Sequence, residues 1–124
     1  MARDFDTLTA GIGLAVANIA GTDLALLRGY SRAKARAIAS FTLLLGEGYA
    51  GGGISEEQMT WEMEELERMV VRFVRNIQAL ATTTIERLLR GIGDLLMAAL
   101  RQVTGLPALR LAPATGMVWG VGPG

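Results

Sequence analysis

The sequence predicts an all-α protein, built as a helical hairpin with an extended C-terminal tail. Three observations support this fold class. All three prolines lie beyond residue 106, so no proline interrupts a helix before that point. Apolar residues recur between Ser55 and Thr104 at alternating intervals of four and three, the spacing of one helix face. Glycines cluster between Gly46 and Gly53, where a connector between helices is expected.

The first helical segment is predicted over residues 4–45, within a single domain that spans residues 1–124. Alanine and leucine dominate this segment, which is expected to form one helix or a pair of helices. If a pair forms, Asp23 or Ser31 is suited to cap its second helix, because both side chains accept hydrogen bonds from backbone amides.

A glycine-rich connector is predicted over residues 46–54, followed by one long helix over residues 55–104. Ser55 and Gln58 have the spacing of a capping box, a strong signal for a helix N-terminus. Glutamates fill the opening turns and arginines follow them, which is the order that the helix dipole favours.

An apolar seam runs along the predicted long helix. Such a seam packs against partner helices in a coiled coil, and a single hairpin is expected to have too little surface to cover it. The seam slips at residues 82–84, which re-aims it within one helix; a second helix that starts near Arg90 is the alternative. The predicted oligomer interface comprises Met59, Met63, Leu66, Val70, Phe73, Ile77, Leu80, Ile85, Leu88, Ile92 and Leu95.

Two tryptophans extend the predicted oligomer interface beyond the seam. Trp61 falls on the outer face of the long helix, where a large apolar side chain indicates a second contact surface. Residues 105–124 are too rich in glycine and proline for regular structure, yet they are mostly apolar. We therefore predict an extended tail that docks against a neighbour, with Trp119 among its contacts.

The composition argues against an enzyme. The chain has no cysteine and no histidine, which removes thiolate chemistry, the usual general base and the commonest metal ligand. The glutamates of residues 56–67 fit solvated helical turns better than a carboxylate metal site, since di-iron bundles of that kind also use histidine. We predict no catalytic residue, no cofactor, no metal and no small-molecule substrate.

Two arginine stripes are candidates for contact with phosphate or lipid headgroups. The formal net charge is zero, and bulk capture of nucleic acid is not expected because it requires a basic excess. The alternative for these side chains is an ordinary solvated face with ion pairs to nearby glutamates. The candidates are Arg28, Arg32, Arg36, Arg68, Arg72 and Arg75.

The N-terminal sequence is acidic where a secretory signal would be basic, so no signal peptide is predicted. The longest uncharged stretch of the N-terminal half, residues 7–22, is shorter than the roughly 20 residues of a spanning helix. Small residues recur in this stretch, which favours close packing of helices in a bundle over packing in a membrane. We predict a virion or cytoplasmic assembly, with membrane association as the alternative.

These patterns together predict a non-enzymatic, self-assembling structural protein whose partners are further copies and other subunits of a complex. The layout is similar to that of internal, tail or ejection proteins of bacteriophages, so a virion or injection-machine component is the specific prediction. It also resembles secreted hairpins of the ESX type, but these carry Trp-x-Gly in the turn, and the chain is not assigned to them. The alternative is a membrane-active helical protein, such as a pore or holin, that uses its Gly/Ala-rich N-terminal helix.

Overall fold

The computed structural model describes residues 2–21, 27–78 and 80–104, with side chains from Phe5 onward. These residues form four α-helices and no strand, which confirms the all-α fold class. The helices are α1 (Ala2–Ala20), α2 (Arg32–Ala50), α3 (Glu56–Arg75) and α4 (Thr82–Thr104).

The helices α2 and α4 form the centre of the bundle. Each of α1 and α3 contacts both of them, and the described residues of α1 and α3 do not contact one another. The start of α2 lies beside the end of α3, at Lys34 and Arg72, and the end of α2 lies beside the start of α3, at Leu44 and Glu62, so these two helices run antiparallel. Because α4 has the direction of α2, it is antiparallel to α3. A side chain at Gly46 would meet Leu100 and Val103, which places the C-terminal ends of α2 and α4 together.

The N-terminal segment is a pair of helices, and Ser31 caps the second. The Ser31 hydroxyl accepts a hydrogen bond from the Lys34 amide at 3.2 Å. The alternative cap, Asp23, lies outside the described residues. The small residues of α1 serve close packing within the bundle, since a Cβ at Gly11 would lie 3.1 Å from Leu95 Cδ2.

The glycine-rich connector is shorter than predicted, because α2 continues through Gly46 and Gly48 to Ala50. Both glycines allow a close approach within the fold: Gly46 is buried against α4, and a Cβ at Gly48 would lie 2.9 Å from the Ile54 side chain. The chain leaves the helical conformation just after Ala50, where Gly52 has a positive φ of 79°. The helix α3 then begins at the predicted cap, where the Gln58 amide donates to Ser55 Oγ at 3.1 Å.

The predicted long helix over residues 55–104 is wrong, because the chain turns between α3 and α4. The end of α3 is tied to the segment before α2: the Gln78 amide donates to the Arg28 carbonyl at 2.9 Å. The ring of Tyr30 packs edge-on against Phe73, with centroids 5.8 Å apart. Residues from a distant part of the chain therefore pack against the end of α3. The slip of the apolar seam, at residues 82–84, coincides with the start of α4.

The residues of α3 and α4 that were predicted to form an oligomer interface lie instead in or against the core of the single chain. Met59, Met63, Leu66, Val70, Phe73 and Ile77 are at most 3% exposed, and Leu88 and Ile92 are fully buried. Leu80, Ile85 and Leu95 are partly buried and pack against the same core. Because α3 and α4 fold back on one another and on α2, the seam is covered by the chain's own helices. Only Trp61 of this set is exposed, and Trp119 lies outside the described residues.

Candidate interaction surface

The outward side of the α2–α3 hairpin carries two depressions, and we call the face that contains both the α2–α3 groove. Its α2 wall carries Lys34, Ala37, Phe41 and Leu44, and its α3 wall carries Glu62, Met69, Arg72 and Asn76. Successive members of each wall are three, four or seven residues apart, so they lie on one face of their helix. The two depressions therefore lie on the same side of the hairpin, one toward each end.

One end of the α2–α3 groove is apolar and acidic. A depression of about 260 Å³ lies between Phe41, Leu44 and Leu45 of α2 and Ile54 and Glu62 beyond the turn. Glu62 also borders a second depression, of about 280 Å³, beneath Trp61. Leu44 is 65% exposed and Trp61 is 68% exposed, so two large apolar side chains are accessible to a partner here.

The other end of the α2–α3 groove is apolar and basic. A depression of about 200 Å³ is bordered by Lys34, Arg72 and Asn76, with Met69 and Phe73 among its apolar lining. Both cations are exposed and stand beside apolar surface. This combination suits an acidic partner surface that also has apolar side chains to bury.

The charge difference between the two ends extends to the whole bundle. Each helix can be divided at its midpoint, and the antiparallel packing brings the starts of α2 and α4 to the end of α3. Among the described side chains, every lysine and arginine except Arg101 lies in that half. Every described aspartate and glutamate except Glu67 and Glu86 lies in the opposite half. A chain with zero net charge is thus strongly bipolar.

The candidate phosphate-contacting arginines are all exposed, and they belong to the basic half. Arg68 forms an ion pair with Glu65 at 3.0 Å, and Arg72 approaches the same carboxylate at 3.7 Å. The Arg36 guanidinium lies over the Phe5 ring, 5.0 Å from its centroid, as a cation–π contact. The structure brings the two stripes to one end of the bundle, because α2 and α3 are antiparallel.

The sequence reasoning missed the α2 wall and the role of Glu62. A signal was present in the spacing of Lys34, Ala37, Phe41 and Leu44, which places apolar residues on a face away from the buried one. The glutamates of α3 are also less uniform than expected, since Glu67 is only 5% exposed and faces the core. Val74 is fully buried in the core and Val71 packs against it, so Trp61 is the large apolar side chain of α3 that remains exposed among the described residues.

Within the described ranges, no group of three or more aspartate or glutamate side chains is placed to hold a metal ion. None of the helices in the described part of the chain combines the length and apolarity needed to cross a membrane.

Comparisons with known protein families, with curated proteins and with solved structures found no match to this chain.

Proposed function

We propose that this protein is a non-enzymatic structural subunit that acts by associating with further copies of itself. The observation that supports the proposal is the exposure of Trp61 and Leu44 beside two depressions of one hairpin that share Glu62. Contiguous exposed apolar surface is characteristic of association sites. Tryptophan is also among the residues that contribute most to binding when a partner covers them.

The surface that supports self-association is not the apolar seam from which the sequence predicted it. The seam on α3 and α4 was expected to need a neighbour, but the chain's own helices cover it. The case for association now depends on the outward side of α2 and α3. The specific predictions of a bacteriophage virion or injection-machine component, and of other subunits as partners, stay predictions.

Sedimentation velocity of the wild-type chain over a wide range of concentrations tests the proposal. We expect a reversible shift from monomer to dimer or to a larger species. Trp61→Ala should weaken this association by at least about tenfold, since a buried aromatic anchor commonly contributes more than 1.4 kcal/mol. Leu14→Ala is the matched control, because Leu14 is 61% exposed on α1, away from the hairpin surface.

A wild-type chain that stays monomeric at every concentration would contradict the proposal. The membrane-active alternative is separated by flotation with vesicles of neutral and of anionic lipid. Flotation of a chain that does not self-associate would favour that alternative, whereas self-association without flotation supports the structural role.

A further inference from the structure

The two ends of the α2–α3 groove are complementary to one another. One end presents exposed cations beside apolar surface, and the other presents Glu62 beside Leu44 and Trp61. A basic partner would match only the acidic end, and an acidic partner only the basic end. A second copy of the same groove, turned end for end, matches both ends at once.

We infer that the α2–α3 groove of one copy packs antiparallel against the α2–α3 groove of a second copy, around a two-fold axis. This inference rests on the proposed function and specifies its partner and orientation. The two-fold axis lies in the plane of the contact and is perpendicular to the helices. The helix α3 of one copy therefore packs against α3 of the other, in the opposite direction. Arg72 of each copy then faces Glu62 of the other, and the same contact occurs twice, as a two-fold interface requires.

A parallel pairing of the same two grooves is opposed by charge. It would lay α2 of one copy over α3 of the other and place Lys34 of each copy against Arg72 of its partner. Like charges brought together at a desolvated contact weaken association, and opposite charges set the orientation. The bipolar charge of the hairpin therefore selects the antiparallel arrangement.

Trp61 has a specific contact in this arrangement. It lies one residue before Glu62, so it faces the arginine-bearing part of α3 in the second copy. A guanidinium placed over an indole ring is a favourable cation–π pair. The neighbouring glutamates add attraction for the same arginines, and burial of Leu44 and Phe41 removes exposed apolar surface from water.

The charge order of α2 supports a role beyond the stability of the single chain. Arg32, Lys34 and Arg36 occupy the first turns of α2, where the helix dipole disfavours cations. Arg32 and Arg36 are also four residues apart on α2, a spacing at which like charges repel. If the basic end of the groove binds a second copy, cations at the start of α2 have a role in association, although the helix dipole favours acids at that position.

A charge exchange between Arg72 and Glu62 tests the inference on the full chain. Arg72→Glu and Glu62→Arg each place like charges at both symmetric contacts, so each variant alone should dimerise at least about tenfold more weakly than the wild type. An equimolar mixture of the two variants restores opposite charges at both contacts. We expect the mixture to form a one-to-one dimer with an affinity close to that of the wild type.

Arg87→Glu and Glu86→Arg are the matched controls, since both residues are exposed on α4 outside the groove. Circular dichroism shows whether each variant is folded, and the charge-exchanged double variant Arg72→Glu/Glu62→Arg should regain self-association. Added salt should weaken the wild-type dimer, because exposed charges are screened.

The outcomes separate this inference from the proposed function. A wild type that associates while the groove variants behave like the α4 controls overturns the groove pairing and leaves self-assembly standing. A mixture that stays monomeric overturns the antiparallel orientation, and a mixture that grows beyond a dimer overturns the two-fold closure. A monomeric wild type, including one whose groove is covered by its own residues 105–124, overturns both.

Discussion

The contact between Gly29 and the end of α3 gives the sharpest stability prediction. Gly29 has a φ of 85°, and a Cβ placed on it would overlap the Asn76 carbonyl oxygen. The same Cβ would lie 2.8 Å from the Asn76 carbonyl carbon and 3.1 Å from Ile77 Cα. These are backbone atoms of a helix end, so they cannot move aside without moving the end of α3.

We expect Gly29→Ala to lower the free energy of unfolding by about 3 kcal/mol. The left-handed backbone conformation costs an alanine about 1 kcal/mol. Separation of the two segments to relieve the overlap breaks the hydrogen bond from Gln78 to Arg28, worth about 1 kcal/mol. It also disturbs the edge-on contact of Tyr30 with Phe73, worth about 1 kcal/mol more.

Urea unfolding followed by circular dichroism, at one protein concentration, measures this loss. Gly52→Ala is the matched control: Gly52 has a φ of 79°, but a Cβ there would have no neighbour within 4 Å. The control should lose only the backbone contribution, about 1 kcal/mol. If Gly29→Ala is no more destabilising than Gly52→Ala, the contact between Gly29 and Asn76 does not hold the end of α3.

Three further predictions concern the helix caps, the core and the close packing of α2 on α4. Ser55→Ala should cost about 1 kcal/mol in urea unfolding, because it removes the acceptor for the Gln58 amide. Leu66→Ala should cost roughly 2–5 kcal/mol, whereas Trp61→Ala should change the monomer's stability by less than about 0.5 kcal/mol; equal losses would contradict the assignment of core and surface. Gly46→Val should destabilise by at least about 1–3 kcal/mol, because a Cβ there already lies 3.1 Å from Val103 Cγ1. Val103→Ala should recover part of that loss, and a double-mutant cycle without coupling would refute the contact.

Local signals in the sequence predicted much of the fold. The capping serines depend only on residues three positions away, and both Ser31 and Ser55 cap their helices as expected. Arg68 and Arg72 pair with Glu65, and local ion pairs of this kind were the alternative to phosphate contact for the arginines of α3. The apolar seam correctly identified the buried face of α3, because burial has the same helical period whichever chain provides the partner.

Two features could not be predicted from local sequence: the number of helices, and which helices cover the apolar seam. No glycine or proline lies between α3 and α4, so the local sequence has no strong helix breaker there. The turn is stabilised by contacts with Arg28, Gly29 and Tyr30, which are distant in sequence. Gly46 and Gly48 were predicted to lie in the connector, but they lie within α2. The sequence alone does not distinguish a glycine that makes room for a neighbouring side chain from one that ends a helix.

The candidate surface was only partly accessible to sequence reasoning. Trp61 was identified as exposed because its position opposes the seam, and the structure places it there. The grouping of Lys34 with Arg72 depends on the antiparallel packing of two separate helices. The complementarity of the two ends follows from that packing, and a count of charges along the chain does not show it.

The separation of charge has a practical consequence for how the protein behaves in solution. The sequence predicts an isoelectric point near pH 6.3, where the net charge is zero while most described cations and carboxylates still lie in opposite halves of the bundle. Dipoles attract one another without any net repulsion to oppose them, so dilute buffers are the conditions in which precipitation is favoured. Electrolyte at about 0.1 M shortens the range of these fields to about 10 Å, and the protein should therefore dissolve better as salt is added.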